Sequence, residues 1–431
     1  MGVKPTDLTI RAYGVGFGDC FLLTFHYGGQ TGDRHMLIDC GTTHKPPNAT
    51  GNLLDAVVKD IAAVVGQQLH VVVATHRHAD HINGFATRPD GKGPGDVIAA
   101  LNPALVIQPW TEKPDAPTDW KGPATGALHD GILTTSLESM RRVVEASLDE
   151  SDSLPRSLRA EVQFVGEDGL SNSSAVRNLA QMGRKGRAAY VRFGSRVPTA
   201  QLLPGVRISV LGPPTVRQKS DLASQKSTNR EEYWHFHSFW QLRSDTARLT
   251  AGGTDLFPDA ATYRPGGYPP ASRWFIDRVN RLRGNQLLRL VRAMDDALNN
   301  TSVILLIHAG NKRLLFSGDA QWESWEYALG KAGAALKKVD VYKVGHHGSL
   351  NATPKSLWKL FAKRSESATD QRLWTLLSTR SDSKHGHPER RTEVPRETLL
   401  TALRESTLLR STQELEPSGE LVLKVELRLV P

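Results

Sequence analysis

The stretch Ala74-Thr75-His76-Arg77-His78-Ala79-Asp80-His81 decides how this chain is read. It sets three imidazoles and one carboxylate into six residues, directly after the apolar run Val71-Val72-Val73. These are ligand types for first-row transition metals, placed where a buried strand runs out. Side chains two apart on an extended segment point the same way, so His76 and His78 can grip one ion. The chain then turns, and Asp80-His81 can face a second ion beside it. Zinc sites are usually four-coordinate. Six residues cannot complete two such shells, so further ligands must come from far along the chain.

Working outward, residues 8–13, 20–25, 35–39, 71–75 and 105–108 read as strands. Residues 53–65 carry helical apolar spacing. Short Gly-containing links join the first three strands, which predicts a meander followed by a βαβ element. Beyond Pro109 the pattern weakens. Helices are expected at 129–148 and 171–182, and strands at 189–193 and 208–211. In the last third, strands are expected at 303–308, 313–316, 339–344, 374–378 and 421–430. Helices are expected there at 321–329, 354–361 and 396–403.

Three of these later strands end in ligand-type residues: Phe316-Ser317-Gly318-Asp319-Ala320, Lys343-Val344-Gly345-His346-His347-Gly348-Ser349, and Lys384-His385-Gly386-His387-Pro388. Function in α/β sheets collects at strand ends, where the loops rise on one side. Four strand ends carrying His or Asp predict one shared pocket.

The hexapeptide HRHADH resembles the H-x-H-x-D-H signature of metallo-β-lactamase-fold hydrolases. Further motifs extend the likeness: Gly14-Val15-Gly16-Phe17-Gly18-Asp19-Cys20, Leu37-Ile38-Asp39-Cys40-Gly41, Leu211-Gly212-Pro213-Pro214, Asn300-Thr301-Ser302, and the Asp319 and His346-His347 segments. In this order they resemble the soluble lactamase-like domain of ComEC-type DNA-uptake proteins, and its phosphorylcholine esterase relatives. The likeness spans roughly residues 7–110 and 300–390. It implies an α/β fold, an αββα sandwich with a dinuclear metal site.

By that resemblance His76, His78 and one of His346 and His347 hold a first metal, with His347 the favoured ligand. Asp80, His81 and His387 hold a second, Asp319 bridges, and Asp39 orients the ligands from behind. The donor set suits two divalent ions, Zn²⁺ first and Mn²⁺ or Fe²⁺ after it. Such a pair, ~3.5–4 Å apart, lowers the pKa of bound water to about 7. Asp80 would steer that nucleophile. His346 would bind substrate phosphate or protonate the leaving group. Lys343, Ser349 and Lys384 are candidates for phosphate oxygens.

The chain departs from the resemblance in two ways. It has no apolar run approaching the ~18 residues of a spanning helix, whereas ComEC proteins also carry membrane segments. And 85 residues, 215–299, stand where the resemblance has a close connection. They read as an inserted element within one domain spanning 1–431. That element includes an expected helix at 272–298, with Arg278, Arg281, Asn285, Arg289 and Arg292 on one stripe. Such a stripe is most often a solvated face. His235 and His237, set among aromatics, read more simply as part of a surface strand or insertion core than as a metal pair.

The 431 residues carry a net charge of +9, with 39% hydrophobic and 23% charged residues. That describes a globular chain and favours an anionic partner. Two cysteines, Cys20 and Cys40, exclude a disulfide framework and read as buried thiols in a cytoplasmic protein. The expected function is a metal-dependent phosphodiesterase acting on nucleic acid. Two alternatives stand beside it. One is a hydrolase of small phosphodiesters or esters, cyclic nucleotide or phosphorylcholine-like. The other is a subunit of a bacterial defence complex that binds a protein partner through 215–299.

Overall fold

The computed structural model describes residues 3–49, 51–113, 172–215, 218–219, 298–349, 353–367, 371–381 and 394–430. The helices expected at 129–148 and 272–298, His235, His237, and all but the ends of the 215–299 element lie outside them.

Two sheets carry the chain. The first has the order β13-β1-β2-β3-β4-β5-β6, with β1 Asp7–Tyr13, β2 Cys20–His26, β3 Arg34–Cys40, β4 Val71–Val73, β5 Leu105–Pro109, β6 Ala188–Val191 and β13 Val422–Arg428. The second has the order β12-β11-β10-β9-β8-β7. Its strands are β7 Val206–Gly212, β8 Ile304–Ala309, β9 Lys312–Phe316, β10 Val341–Lys343, β11 Trp374–Leu377 and β12 Leu408–Ser411. Each sheet changes from antiparallel to parallel pairing partway across. The first does so at β3 and the second at β9.

Strand periodicity sorts the apolar residues into layers. Ile10, Phe21, Leu23, Ile38, Val71 and Val73 of the first sheet meet Val210, Leu305, Ile307, Leu314, Phe316 and Val341 of the second in one buried core. Their neighbours turn outward. Leu22, Leu37, Val72 and Val106 pack under helices α1 Leu53–Val65, α3 Pro94–Ala100 and α4 Ser173–Lys185. Leu306, Leu315, Tyr342 and Leu377 pack under α5 Trp322–Leu336, α6 Lys355–Leu360 and α7 Glu397–Ser406. The layering is helix, sheet, sheet, helix. Strands covered on both faces explain why β2, β4 and β8 read as continuous apolar runs rather than alternating ones.

Most expected elements are present within a few residues of their predicted bounds. The short helix α3 and the edge strand β12 were not expected. β12 lacks alternation, and its parallel pairing with β11 is set by tertiary packing. No helix among the described residues is long and apolar enough to cross a membrane.

The topology brings strand ends from both sheets to one place. β3 ends beside Asp39, and β4 runs into the His76–His81 segment, whose last part is the short helix α2, Ala79–Ile82. Asp319 follows β9, and His346-His347 follow β10. The approach is close enough to require glycine: a Cβ on Gly41 would lie 2.4 Å from the Asp80 carbonyl carbon. Gly41→Ala is therefore expected to push α2 away from β3. The purified variant should stay folded by circular dichroism yet lose divalent-metal binding by calorimetric titration. Unchanged binding would contradict this packing.

Candidate metal centre

Asp39 organises the loop after β4. Its Oδ1 accepts the Thr75 N–H at 2.7 Å and its Oδ2 accepts the Thr75 hydroxyl at 2.7 Å. The same Oδ2 lies 2.8 Å from His81 Nδ1. Asp39 is buried and has φ 55°, a left-handed conformation that a residue other than glycine adopts at some cost. With its Nδ1 proton committed to Asp39, His81 turns Nε2 toward Asp319 Oδ2 at 3.1 Å and Asp80 Oδ2 at 3.6 Å.

His347 is arranged in the same way. Its Nδ1 donates to the Ser378 carbonyl at 3.0 Å, just past the end of β11, and its Nε2 faces Asp80 Oδ2 at 3.1 Å. Two imidazoles thus have one nitrogen held by a fixed acceptor and the other aimed at carboxylates. Metal-ligating histidines are oriented by such partners.

Asp80, His81, Asp319 and His347 each offer a ligand atom within 4.8 Å of the others. His76 Nε2 and His78 Nδ1 lie 3.0 Å apart, and the His76 ring sits 4.2 Å from that of His81. His76, His78, His81, Asp319 and His347 are buried.

The electrostatics follow from burial. Desolvation, then the neighbouring His81 and His78, hold His76 well below its ordinary pKa, in the neutral form a ligand needs. For His81, desolvation works downward, but Asp319, Asp80 and Asp39 outweigh it and push the imidazole well up. Desolvation likewise opposes a charged His347, and the Asp80 hydrogen bond with Asp319 raises it. Burial alone would raise the Asp80 and Asp319 carboxyls. His81 reverses this for both, and they are held well below the usual carboxylate range. Burial pushes Asp39 up, against the pull of His81. The pocket is short of positive charge, and its carboxylates favour the protonated forms of His81 and His347. That donor set, nitrogen lone pairs facing carboxylate oxygens in a buried volume, fits a divalent metal ion.

His347 groups with Asp80, His81 and Asp319, its Nδ1 held by the Ser378 carbonyl just past β11. His387 and Lys384 lie outside the described residues. His346 is half-buried with φ 40°, and its N–H donates to Asp319 Oδ1 at 2.9 Å. Ser349 follows on the same turn, its N–H donating to the His346 carbonyl at 2.8 Å. Lys343, expected at substrate phosphate, is 1% exposed and ion-paired with Asp19. Its ammonium points into the protein.

Asp19 is the potential ligand that sequence reasoning passed over. It is quoted within the glycine-rich motif but given no role there. Its carboxylate joins Asp39 and His81 in a second group of potential ligands, and its N–H donates to the Asp80 carbonyl at 2.9 Å. An ionisable residue between Gly18 and a buried strand is the signal that could have found it.

No family model matches this sequence, and no curated protein matches it. What the fold and geometry define is an α/β sandwich with buried His/Asp groups that could hold a metal.

Two expectations follow. His81 and His347 titrate above an unfolded value near 6.5, so they stabilise the metal-free fold fully below that pH. That contribution is lost as pH rises through their folded values. In chelator, the melting temperature should fall with rising pH above 6.5. With Zn²⁺ or Co²⁺ the fall should flatten, because the ion replaces the protons; parallel curves with and without metal would count against the site. Separately, Asp39→Asn should weaken metal affinity by about 10–100-fold, measured by competition with a chromophoric chelator.

Proposed function

We propose that this chain is a metallo-β-lactamase-fold hydrolase that cleaves phosphodiesters through a dinuclear metal centre, with nucleic acid as its substrate. The observation that carries the reading is the inward aim of His81 and His347. Asp39 and the Ser378 carbonyl fix their Nδ1 protons, and both Nε2 atoms converge with Asp80 and Asp319 beside His76 and His78. Four-layer packing and loops gathered at strand ends from two sheets agree with the αββα sandwich that the sequence motifs suggest. The net charge of +9 and the likeness to a DNA-uptake domain favour a polyanionic substrate.

In this reading Asp80, His81, Asp319 and His347 hold one ion, and His76 and His78 hold a second with the help of Asp319. The ions supply Lewis acidity that ionises a water near neutral pH and offsets the charge of a phosphodiester. The protein supplies position and proton control. Asp80, whose carboxyl His81 and His347 hold low against the opposing effect of burial, can accept a hydrogen bond from the attacking water. His346, whose backbone N–H donates to Asp319, would hand a proton to the leaving oxygen. Ser349 on the same turn is a donor for a non-bridging oxygen.

The decisive experiment incubates the purified chain, with Mn²⁺ or Zn²⁺, with DNA, RNA and bis(p-nitrophenyl) phosphate. Cleavage of nucleic acid is expected. Turnover of the small ester without cleavage of DNA or RNA would move the substrate to a small phosphodiester. Asp80→Asn and Asp319→Ala should each lower kcat by more than the ~10–100-fold typical of a residue that only supports a ligand, with the fold intact by circular dichroism. Full activity in either variant would sink the dinuclear mechanism.

A further inference from the structure

Two potential metal groups share His81. One is Asp80, His81, Asp319 and His347; the other is Asp19, Asp39 and His81. Both are rich in carboxylate and, Asp80 apart, buried, so proximity alone does not say which takes the ion. Lys343 stands between them. β10 alternates its side chains across the second sheet: Val341 faces the inter-sheet core and Tyr342 the helices. Lys343 therefore points inward, toward the first sheet. Its Nζ is ion-paired with Asp19 at the start of β2 and lies 3.7 Å from Asp319 Oδ1.

Resting on the metal-centre reading above, we infer that Lys343 is a positioning residue. Its ammonium is a fixed cation that fills the Asp19 side and restrains Asp319, so that the metal is directed to the Asp80–His81–Asp319–His347 group.

Two observations carry this. Asp319 Oδ1 is engaged from two sides, by the Lys343 ammonium and by the His346 N–H at 2.9 Å. Its Oδ2 alone faces His81 Nε2, at 3.1 Å. Asp319 is thereby held to present one oxygen to the centre rather than to chelate through both. On the other side, Asp19 Oδ2 carries the ammonium, and His81 Nδ1 is bound to Asp39. That leaves the second group with a cation already in place and with its imidazole facing it through the protonated nitrogen.

The test separates charge from position. Lys343→Met alone leaves Asp19 unpaired and adds net negative charge. Lys343→Met with Asp19→Asn removes both charges of the pair, and replacing a buried ion pair whole is often neutral for stability. The full chain is stripped and loaded with Co²⁺, and its d–d absorption, binding stoichiometry and affinity are read. The double variant is expected to melt close to the parent in the absence of metal. It should nevertheless bind Co²⁺ about 10–100-fold more weakly, with an altered d–d spectrum, because Asp319 is no longer held to one oxygen. Lys343→Met alone should shift the spectrum as well, since Asp19 becomes available to the ion. A double variant with the parent's spectrum and affinity would overturn the inference and leave the ion pair a simple cross-link between sheets. A parent chain that binds no Co²⁺ would overturn the metal-centre reading itself, and the inference with it.

Discussion

Four carboxylates, the buried Asp19, Asp39 and Asp319 and the half-buried Asp80, converge where the two sheets meet, and the rest of the site is organised around the charge they carry. Burying an ionised carboxylate without a partner is costly enough that the group would sooner change protonation. Here a single ammonium, Lys343, and the imidazoles supply the compensation the described residues offer. The opposing shifts of His81 and Asp80 express this shortage: the imidazole is pushed to hold a proton, while the carboxylate refuses one.

The same constraint shapes the backbone. Ligands from β3, β4, β9 and β10 can share one small volume only if their strand ends nearly touch. Gly18 and Gly41 allow this on the first sheet, where a Cβ on Gly18 would lie 2.2 Å from the Gly41 carbonyl oxygen. On the second sheet Gly318 plays the same part, with φ 49° and the Thr75 hydroxyl 2.7 Å from where its Cβ would be. Asp39, His346 and His347 adopt left-handed conformations without the excuse of being glycine. Such strain gathers at sites that the surrounding fold over-determines. The inter-sheet core provides that determination, since Phe21, Ile38, Val73, Phe316 and Val341 lock the strands just before they reach the site.

Much of this was legible in the sequence because ligand chemistry and strand periodicity are local signals. His76, His78, Asp80 and His81 lie within six residues of each other, and Asp319 and His347 each follow an apolar strand. What was not legible was partnership across the sheets. His346 and His347 are adjacent and chemically identical, and what sets them apart is the Ser378 carbonyl, 31 residues beyond His347, which accepts from His347 Nδ1. Lys343 looks, in sequence, like a phosphate-binding residue ahead of a catalytic turn. Only the inward register of β10 and the position of Asp19 on the opposite sheet show that its charge is spent inside the protein. Asp19 itself was masked by its company, because glycines around an acid read as a turn.

The donor types also limit the metal that the proposed centre would select. The two cysteines are close in sequence to Asp19 and Asp39, and sit opposite one another on β2 and β3. Strand alternation nevertheless turns both to the outer face, among the residues under α1, α3 and α4. Burial also raises the Cys20 thiol well above its ordinary value, so it is held as a neutral thiol rather than a thiolate ligand. The centre is left with imidazole nitrogen and carboxylate oxygen. A soft ion such as Cu(I) gains nothing from such a set, whereas Zn²⁺, Mn²⁺ and Fe²⁺ are all served by it. Among these three, geometry rather than softness must decide. An Asp319 that offered one oxygen, as proposed, would favour a low coordination number, which would suit Zn²⁺, usually four-coordinate.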